Sequence, residues 1–366
     1  MDKKIEKICE KIGFGVGLSI IIVTLLFFNI NEVAFSEIML YDTLLDYKIN
    51  EDVKEIFKND EVMAVSNIKN SENEEIGEVE LIGIDDISYE HKKTEEEIKK
   101  SNEVLGSNID MKKLENLDYL RQNFYVVDKS TGMTKDYFDV NKFMSTDIKV
   151  EKEGDGPKVL VFHSHPHEMF KDSNVNDINE GIIGAGNKLT SLLQEKYGIN
   201  TLHVTEESFD TVNGRLQRNG SYERMEPFIQ KVLEENPSIE LVIDLHRDGV
   251  NENTHLVETI NGKPTAKVMF FNGISRIMEN GKLNNISNLP NPNVHTNLAL
   301  SFNMQKRAVE KYPGFSRKIY IKPYRYSLHL KPKTLLIEAG AQTNTKEEIY
   351  NAMELLADLI NDVIFE

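Results

Sequence analysis

The sequence predicts an α/β protein, a three-layer sandwich with a mostly parallel central sheet. From residue 158 to the C-terminus, short apolar runs alternate with stretches of helical periodicity, which is the pattern of strands joined by helices. Three of the apolar runs also end in histidine or carboxylate residues. Ligand sites of parallel α/β sheets gather at the carboxyl ends of strands, which is where these polar residues fall.

The individual elements follow from local patterns. Strands are predicted where short, mostly apolar runs stand between turn signals, at residues 158–162, 199–204, 239–245, 254–260, 266–271, 318–322 and 333–338. Helices are predicted where apolar residues recur at helical spacing, at residues 179–197, 221–235, 294–311 and 345–363. The segment 261–264 (NGKP) predicts a hairpin-like turn. Thr345 and Glu348 have the spacing of a capping box at the start of the last helix.

The N-terminal part predicts a membrane anchor. Residues 13–30 (GFGVGLSIIIVTLLFFNI) contain no charge and no proline. Their number is near the lower limit of about 17–20 residues that a helix needs to cross a bilayer. Four lysines precede the run, at positions 3, 4, 7 and 11, which predicts a cytoplasmic N-terminus and an external remainder. A cleaved signal peptide is the alternative, but no clear small-x-small cleavage site follows.

These features divide the chain into four parts. They are a cytoplasmic tail at residues 1–12, the transmembrane anchor at 13–30, a charged membrane-proximal spacer region at 31–155 and a catalytic domain at 156–366. The net charge of −17 argues against a nucleic-acid partner, because such proteins present a basic face. Cys9 is the single cysteine and lies before the anchor, so the external part has no disulfides.

Three strand ends carry side chains of the types that bind zinc. The run VLVF continues into HSHPHE (163–168), LVI into DLHRD (244–248) and TLLI into EAG (338–340). Imidazole and carboxylate groups are costly at buried strand ends unless they are paired or bind a metal. One such histidine is usually structural, but three such ends can converge on one edge of a sheet. Together they predict a zinc hydrolase site, since catalytic zinc has three protein ligands and one open position.

The predicted Zn²⁺ ligands are His165, Glu168 and His246, a pair from one short loop and one distant histidine. His163 is the alternative ligand, because it lies two residues before His165 and would face the same side on a strand. Glu338 is the predicted catalytic base, which takes a proton from water and returns it to the leaving amine.

Two neighbours of His246 are expected to have supporting roles. Asp244 is expected to orient a ligand imidazole, and Arg247 to hold a substrate carboxylate. Asp248 is interpreted as an ion-pair partner of Arg247. His167 is interpreted as a surface residue, and His203 as a structural residue within its strand.

These segments resemble the stage II sporulation protein P family of spore-forming Firmicutes. VLVFHSHPHE is similar to the family's strand with His-x-His-x-x-Glu, and LVIDLHRD to its Asp-x-His-Arg-Asp segment. NPNVHTNLALSFNMQ, YPGFSRKIYIK and TLLIEAGAQTNTKEEI resemble later signatures in the same order. The resemblance covers residues 120–366 and the anchor. His167 departs from it, because a small hydroxyl residue is expected there.

The resemblance implies a fold and metal site related to those of zinc-dependent N-acetylmuramoyl-L-alanine amidases. It implies cleavage of the amide between N-acetylmuramic acid and L-alanine in peptidoglycan, with cleavage of peptide cross-links as a further activity. It also implies action at the septal or engulfing membrane during forespore engulfment, with stage II sporulation proteins D and M as partners. The alternatives are a zinc peptidase that cuts only cross-links and a non-catalytic scaffold of a membrane complex.

Overall fold

The structure is a computed structural model that describes residue 100 and residues 109–366. The predicted tail (1–12), the predicted anchor (13–30) and most of the predicted spacer lie outside the described residues. Within the described part of the chain, no helix is both long enough and apolar enough to cross a membrane.

The described residues form helices and strands in alternation from residue 111 onward. The α-helices are α1 (Met111–Leu114), α2 (Leu117–Phe124), α3 (Val140–Ser145), α4 (Ile182–Ser191), α5 (Ser221–Glu235), α6 (Val294–Lys311) and α7 (Lys346–Ile360). The strands are β1 (Tyr125–Val127), β2 (Val159–Phe162), β3 (Thr201–His203), β4 (Thr211–Val212), β5 (Arg215–Leu216), β6 (Leu241–Asp248), β7 (Val257–Ile260), β8 (Lys263–Ala266), β9 (Val268–Gly273), β10 (Arg276–Glu279), β11 (Lys282–Asn285), β12 (Ile319–Lys322) and β13 (Thr334–Ala341). Single π-helical turns, Leu192–Lys196 and Asn361–Phe365, extend α4 and α7.

Seven strands form the central sheet, in the order β1-β12-β9-β13-β6-β2-β3. Every neighbouring pair is parallel except β9 with β13, which is antiparallel. The sheet therefore consists of two parallel blocks that run in opposite directions and meet at that pair. The prediction of an α/β fold with a mostly parallel sheet is confirmed.

Helices cover both faces of this sheet, because alternate residues of a strand point to opposite sides. On one face, Val161 and Ile243 belong to a large core that includes side chains of α2, α3, α4, α6 and α7. On the opposite face, Leu160 and Val242 pack with Met225 of α5. The site described below lies on the α5 side.

The sheet begins earlier in the chain than the predicted domain boundary at residue 156. β1 is an edge strand of the sheet and pairs with β12, Tyr125 with Ile319. Phe124 of α2 and Phe143 of α3 are buried in the core beneath it. Elements within residues 111–155, a part of the chain that the sequence pattern assigns to the spacer, thus pack with the α/β sheet.

The segment after β6 also differs from the prediction. β7 pairs with β8 in a separate hairpin, and β9 follows two residues later as a strand of the central sheet. Asn261 and Gly262 form the turn, both with positive φ (53° and 79°), as a two-residue hairpin turn requires. The turn was therefore located correctly, but the residues after it belong to two short strands and not one.

Candidate metal centre

The candidate site lies at the ends of β2, β6 and β13, three strands that neighbour each other in the sheet. His165 and Glu168 follow β2, His246 lies near the end of β6, and Glu338 lies in β13. Glu338 and His246 are paired in the parallel register of β13 with β6. Both face the α5 side, because Ile337 beside Glu338 belongs to the core on the opposite face.

The side chains of His165, Glu168 and His246 converge. All three are buried, and one ligand atom from each lies within 4.8 Å of the other two. Nδ1 of His165 is 3.7 Å from Oε1 of Glu168, and Nδ1 of His246 is 3.6 Å from Oε2. These separations exceed hydrogen-bond length. They are close to the roughly 3.4 Å that separates the ligand atoms of a tetrahedral zinc ion with bonds of about 2.1 Å. The donor set therefore fits zinc.

The second ring nitrogen of each histidine in this cluster is held by another side chain. Nε2 of His246 is 2.7 Å from Oδ1 of Asp244, and Nε2 of His165 is 2.8 Å from Oγ of Ser221. These contacts turn Nδ1 of both rings toward Glu168. Such a partner orients a ligand imidazole and increases its basicity, so Asp244 occupies the place expected for that role.

Backbone and hydroxyl donors hold the two carboxylates. Ser164 donates its N–H to Oδ1 of Asp244 at 2.9 Å and its hydroxyl to Oδ2 at 2.7 Å. The backbone N–H of Arg247 donates to Oε2 of Glu168 at 2.8 Å. The loop after β2 and the end of β6 thus hold each other in place, so the cluster does not depend on a single flexible loop.

The carboxylates of the cluster stay ionised although they are buried. Burial would raise the pKa of Glu168, but the adjacent His165 and His246 rings and Arg247 bring it well below its ordinary value. Burial lowers the pKa of His246, yet Asp244 and Glu168 outweigh this effect and raise that pKa well above its ordinary value. His246 therefore carries a proton in the metal-free protein, which a metal ion must displace.

Aromatic rings line the side of the cluster next to α5. Tyr222 contacts His165 edge-on with ring centroids 5.6 Å apart, and Tyr326 contacts Tyr222 in the same way at 5.4 Å. Burial raises the pKa of Tyr222 well above its ordinary value, so the phenol stays protonated. The start of α5 was not identified from the sequence as part of the site, because Ser221 and Tyr222 follow no motif.

His163, the alternative ligand, lies outside the cluster. Its Nδ1 donates to the carbonyl oxygen of Leu245 at 2.6 Å, and its Nε2 is 2.8 Å from Nε2 of His203. Both ring nitrogens are therefore engaged. Burial lowers the pKa of His163 to about 4 and that of His203 to about 3, so both rings are neutral at pH 7. β2 ends at Phe162, so the strand alternation that would place His163 and His165 on one side does not apply.

Gly186 of α4 makes room for the contact between His163 and His203. A Cβ at this position would lie 2.6 Å from Nε2 of His203 and 2.7 Å from Nε2 of His163. We expect Gly186→Ala to lower the free energy of unfolding by about 1–3 kcal/mol through overpacking. This cost exceeds the roughly 1 kcal/mol of helix propensity that alanine adds, because the bond to Leu245 prevents the His163 ring from moving away.

Urea unfolding measures this effect, and Gly249→Ala is the matched control. A Cβ at Gly249 meets no atom within 4 Å, so its substitution should change the free energy of unfolding by less than about 0.5 kcal/mol. Equal stability of the two variants would show that the space at Gly186 is not needed.

The contacts of Arg247 and Asp248 show that the carboxylate of Asp248 is paired with a residue other than Arg247. Nε of Arg247 donates to the carbonyl oxygen of Met169 at 2.7 Å, and Nη1 to the carbonyl oxygen of Asp248 at 3.2 Å. The carboxylate of Asp248 instead forms a buried ion pair with Arg317 at 2.6 Å. Arg247 is thus fixed beside Glu168 by backbone oxygens.

Two further histidines have partners away from the cluster. Nδ1 of His167 is 2.7 Å from Oδ1 of the buried Asp210, so this ring is anchored and not simply on the surface. Nε2 of His329 is 3.0 Å from Oε1 of Glu226. Neither ring belongs to the group of His165, Glu168 and His246.

Fold and site together define an α/β protein with a buried His-Glu-His group at the ends of neighbouring strands, suited to a metal ion. A family model described as "Stage II sporulation protein P (SpoIIP)" matches residues 36–361. The chain therefore belongs to the stage II sporulation protein P family. Stage II sporulation protein P of Bacillus subtilis (strain 168) is 22% identical over 227 residues, which are 58% of this chain and 52% of that protein. The match spans about half the length of this relative.

Solved structures of amidases are also similar to the chain. The CwlD amidase from Clostridioides difficile, solved in complex with the GerS lipoprotein, is 16% identical, with 56% of this chain and 99% of that chain covered and a TM-score of 0.33. The N-acetylmuramoyl-L-alanine amidase AmiC2 of Nostoc punctiforme is 14% identical, with 58% and 97% covered and a TM-score of 0.32.

Proposed function

We propose that this chain is a zinc-dependent peptidoglycan hydrolase, an N-acetylmuramoyl-L-alanine amidase that acts in forespore engulfment during sporulation. The observation that carries the proposal is the convergence of His165, Glu168 and His246 at ligand-like separations beside Glu338. Membership of the stage II sporulation protein P family supports a role in sporulation.

In this proposal His165, Glu168 and His246 hold the zinc ion. Zinc bound there supplies the Lewis acidity that polarises an amide carbonyl. Asp244 and Ser221 keep the two imidazoles in orientation, and the ionised carboxylate of Glu168 offsets part of the positive charge. Tyr222 covers His165 and keeps bulk water from one side of the cluster.

Glu338 is the proposed general base. It is paired with His246 across β6 and β13, and it is partly exposed, so water and substrate reach it. Its carboxylate takes the proton of the attacking water and passes it to the leaving nitrogen of L-alanine. β13 shifts register between Glu338 and Ala341, and Gly340 has a φ of 63°. Such bulges often redirect a side chain next to an active site.

The proposed setting is the outer side of a membrane. The anchor predicted at residues 13–30 would hold the domain at the septal or engulfing membrane of the sporulating cell, with the N-terminus in the cytoplasm and the domain facing peptidoglycan. Stage II sporulation proteins D and M are the proposed protein partners. The net charge of −17 supports a role without nucleic acid.

Digestion of purified sacculi tests the function. We expect the zinc-loaded full chain, kept in detergent, to release intact stem peptides and leave glycan strands without peptides, as detected by mass spectrometry. Products with separated cross-links but peptides still attached to glycan would replace the amidase by a peptidase. Unchanged sacculi with zinc bound would favour the scaffold.

A further inference from the structure

Arg218 lies in the loop that leads into α5, next to the candidate metal centre. It is in the segment between β5 and α5, and its carbonyl oxygen accepts a 3.0 Å bond from the N–H of Ser221, whose hydroxyl contacts His165. Nε of Arg218 is buried and has no hydrogen-bond partner among the described residues. Buried donors in native proteins are almost always satisfied, so this N–H indicates a ligand.

Arg247 approaches the same region from β6. Its Nε and Nη1 donate to backbone oxygens of Met169 and Asp248, which leaves Nη2 without a hydrogen bond among the residues that the structure describes. The backbone N–H of Arg247 donates to Oε2 of Glu168 at 2.8 Å, so this residue adjoins the His-Glu-His group. Arg218 and Arg247 therefore bring two guanidinium groups, which repel each other as like charges, to the region of the centre.

The acidic groups nearby have other assignments. Glu168 is a member of the His-Glu-His group, the carboxylate of Asp248 is paired with Arg317 at 2.6 Å, and Glu338 is the proposed general base. In residues 109–366, Arg218 forms no ion pair. An anion between the two arginines would relieve their repulsion and satisfy the buried N–H of Arg218.

We infer that Arg218 and Arg247 form a subsite for a carboxylate of the peptidoglycan stem peptide; this rests on the proposed function. The first carboxylate beyond the scissile amide is the α-carboxylate of the acidic second residue of the stem. Guanidinium groups bind carboxylates through paired, charge-assisted hydrogen bonds. Arg218 is thus a specificity-determining residue, which selects a stem whose second residue is a free acid over one in which it is amidated.

Two soluble substrates test the subsite, N-acetylmuramoyl-L-Ala-D-Glu and its analogue with the α-carboxylate converted to an amide. We expect the zinc-loaded full chain to hydrolyse the acid with a KM about 10- to 100-fold lower than that of the amide, the range for hydrogen bonds to a charged group. Arg218→Ala should remove this preference by raising the KM of the acid to that of the amide. Arg218→Lys should restore part of it. Arg215→Ala removes the same charge from the exposed surface of β5 and should behave as the wild type.

Calorimetric binding of both compounds to the zinc-loaded Glu338→Gln variant separates the subsite from the reaction. The acid should bind more tightly than the amide, and adding Arg218→Ala should abolish the difference. If neither compound is hydrolysed but the acid still binds through Arg218, the proposed function fails and the subsite stands. If both compounds are hydrolysed and bound alike with or without Arg218, the subsite is overturned and the function stands. Absence of both hydrolysis and binding overturns both.

Discussion

Replacing Glu338 by glutamine is expected to lower the rate of peptidoglycan hydrolysis by about 10²- to 10⁴-fold, the usual contribution of a general base. Glutamine keeps the size of the side chain but cannot accept the proton of water at neutral pH. The backbone pairing of Glu338 with His246 is unaffected by the change, and Glu338 is not one of the three grouped ligands. Zinc content and fold should therefore remain those of the wild type.

Release of stem peptides from sacculi measures the rate, and elemental analysis of the purified protein measures the zinc. The matched control is Glu252→Gln, which makes the same change at an exposed position in the loop after β6. It should keep wild-type activity. If Glu338→Gln retained activity within a few-fold of the control while still binding zinc, the proton transfer would have to be assigned to another group.

The sequence predicted best what is determined locally. The predicted helices at 221–235 and 294–311 coincide with α5 and α6, because both carry long apolar periodicities. The capping box at Thr345 and Glu348 is also present, with both of its hydrogen bonds. Each of these signals depends only on residues within a few positions of one another.

Features that depend on distant pairing were beyond the sequence patterns. β1 has three residues, and it is a strand only because it pairs with β12, almost 200 residues later. β9 is antiparallel to β13, and the direction of a strand cannot be predicted from its apolar residues alone. Strand β8 was not predicted as a separate element, since Pro264 within it looks like part of the turn.

The same distinction applies to the candidate site. His165, Glu168 and His246 stand out because zinc-type side chains at strand ends are unusual. Ser221 and Arg218 carry no such signal, since α5 is brought to the site only by packing of the whole domain. The choice between His163 and His165 depended on where β2 ends, and strand boundaries are the least certain part of a sequence-based prediction.

Zinc content of three histidine variants is the sharpest test of the ligand set. We expect His246→Ala and His165→Ala to lower zinc affinity more than about 100-fold, because a lost ligand costs more than the 10- to 100-fold of a lost supporting contact. His163→Asn should lower zinc affinity by no more than about 100-fold. Both nitrogens of the His163 ring are engaged with Leu245 and His203, so this ring is not a ligand in the proposal. Competition with a chromogenic chelator measures the affinities.

The two ligand variants should also differ in stability without zinc. His246→Ala leaves Asp244, which is fully buried, without its charged partner at 2.7 Å. Breaking a buried ion pair in this way costs about 3–5 kcal/mol. His165→Ala removes the contact with Ser221 but leaves Glu168 with His246 and the N–H of Arg247 beside it, so we expect a cost of about 1–3 kcal/mol. In urea unfolding with a chelator present, His246→Ala should therefore have a lower free energy of unfolding than His165→Ala. If His163→Asn lost zinc and His165→Ala retained it, His163 would be the zinc ligand in place of His165.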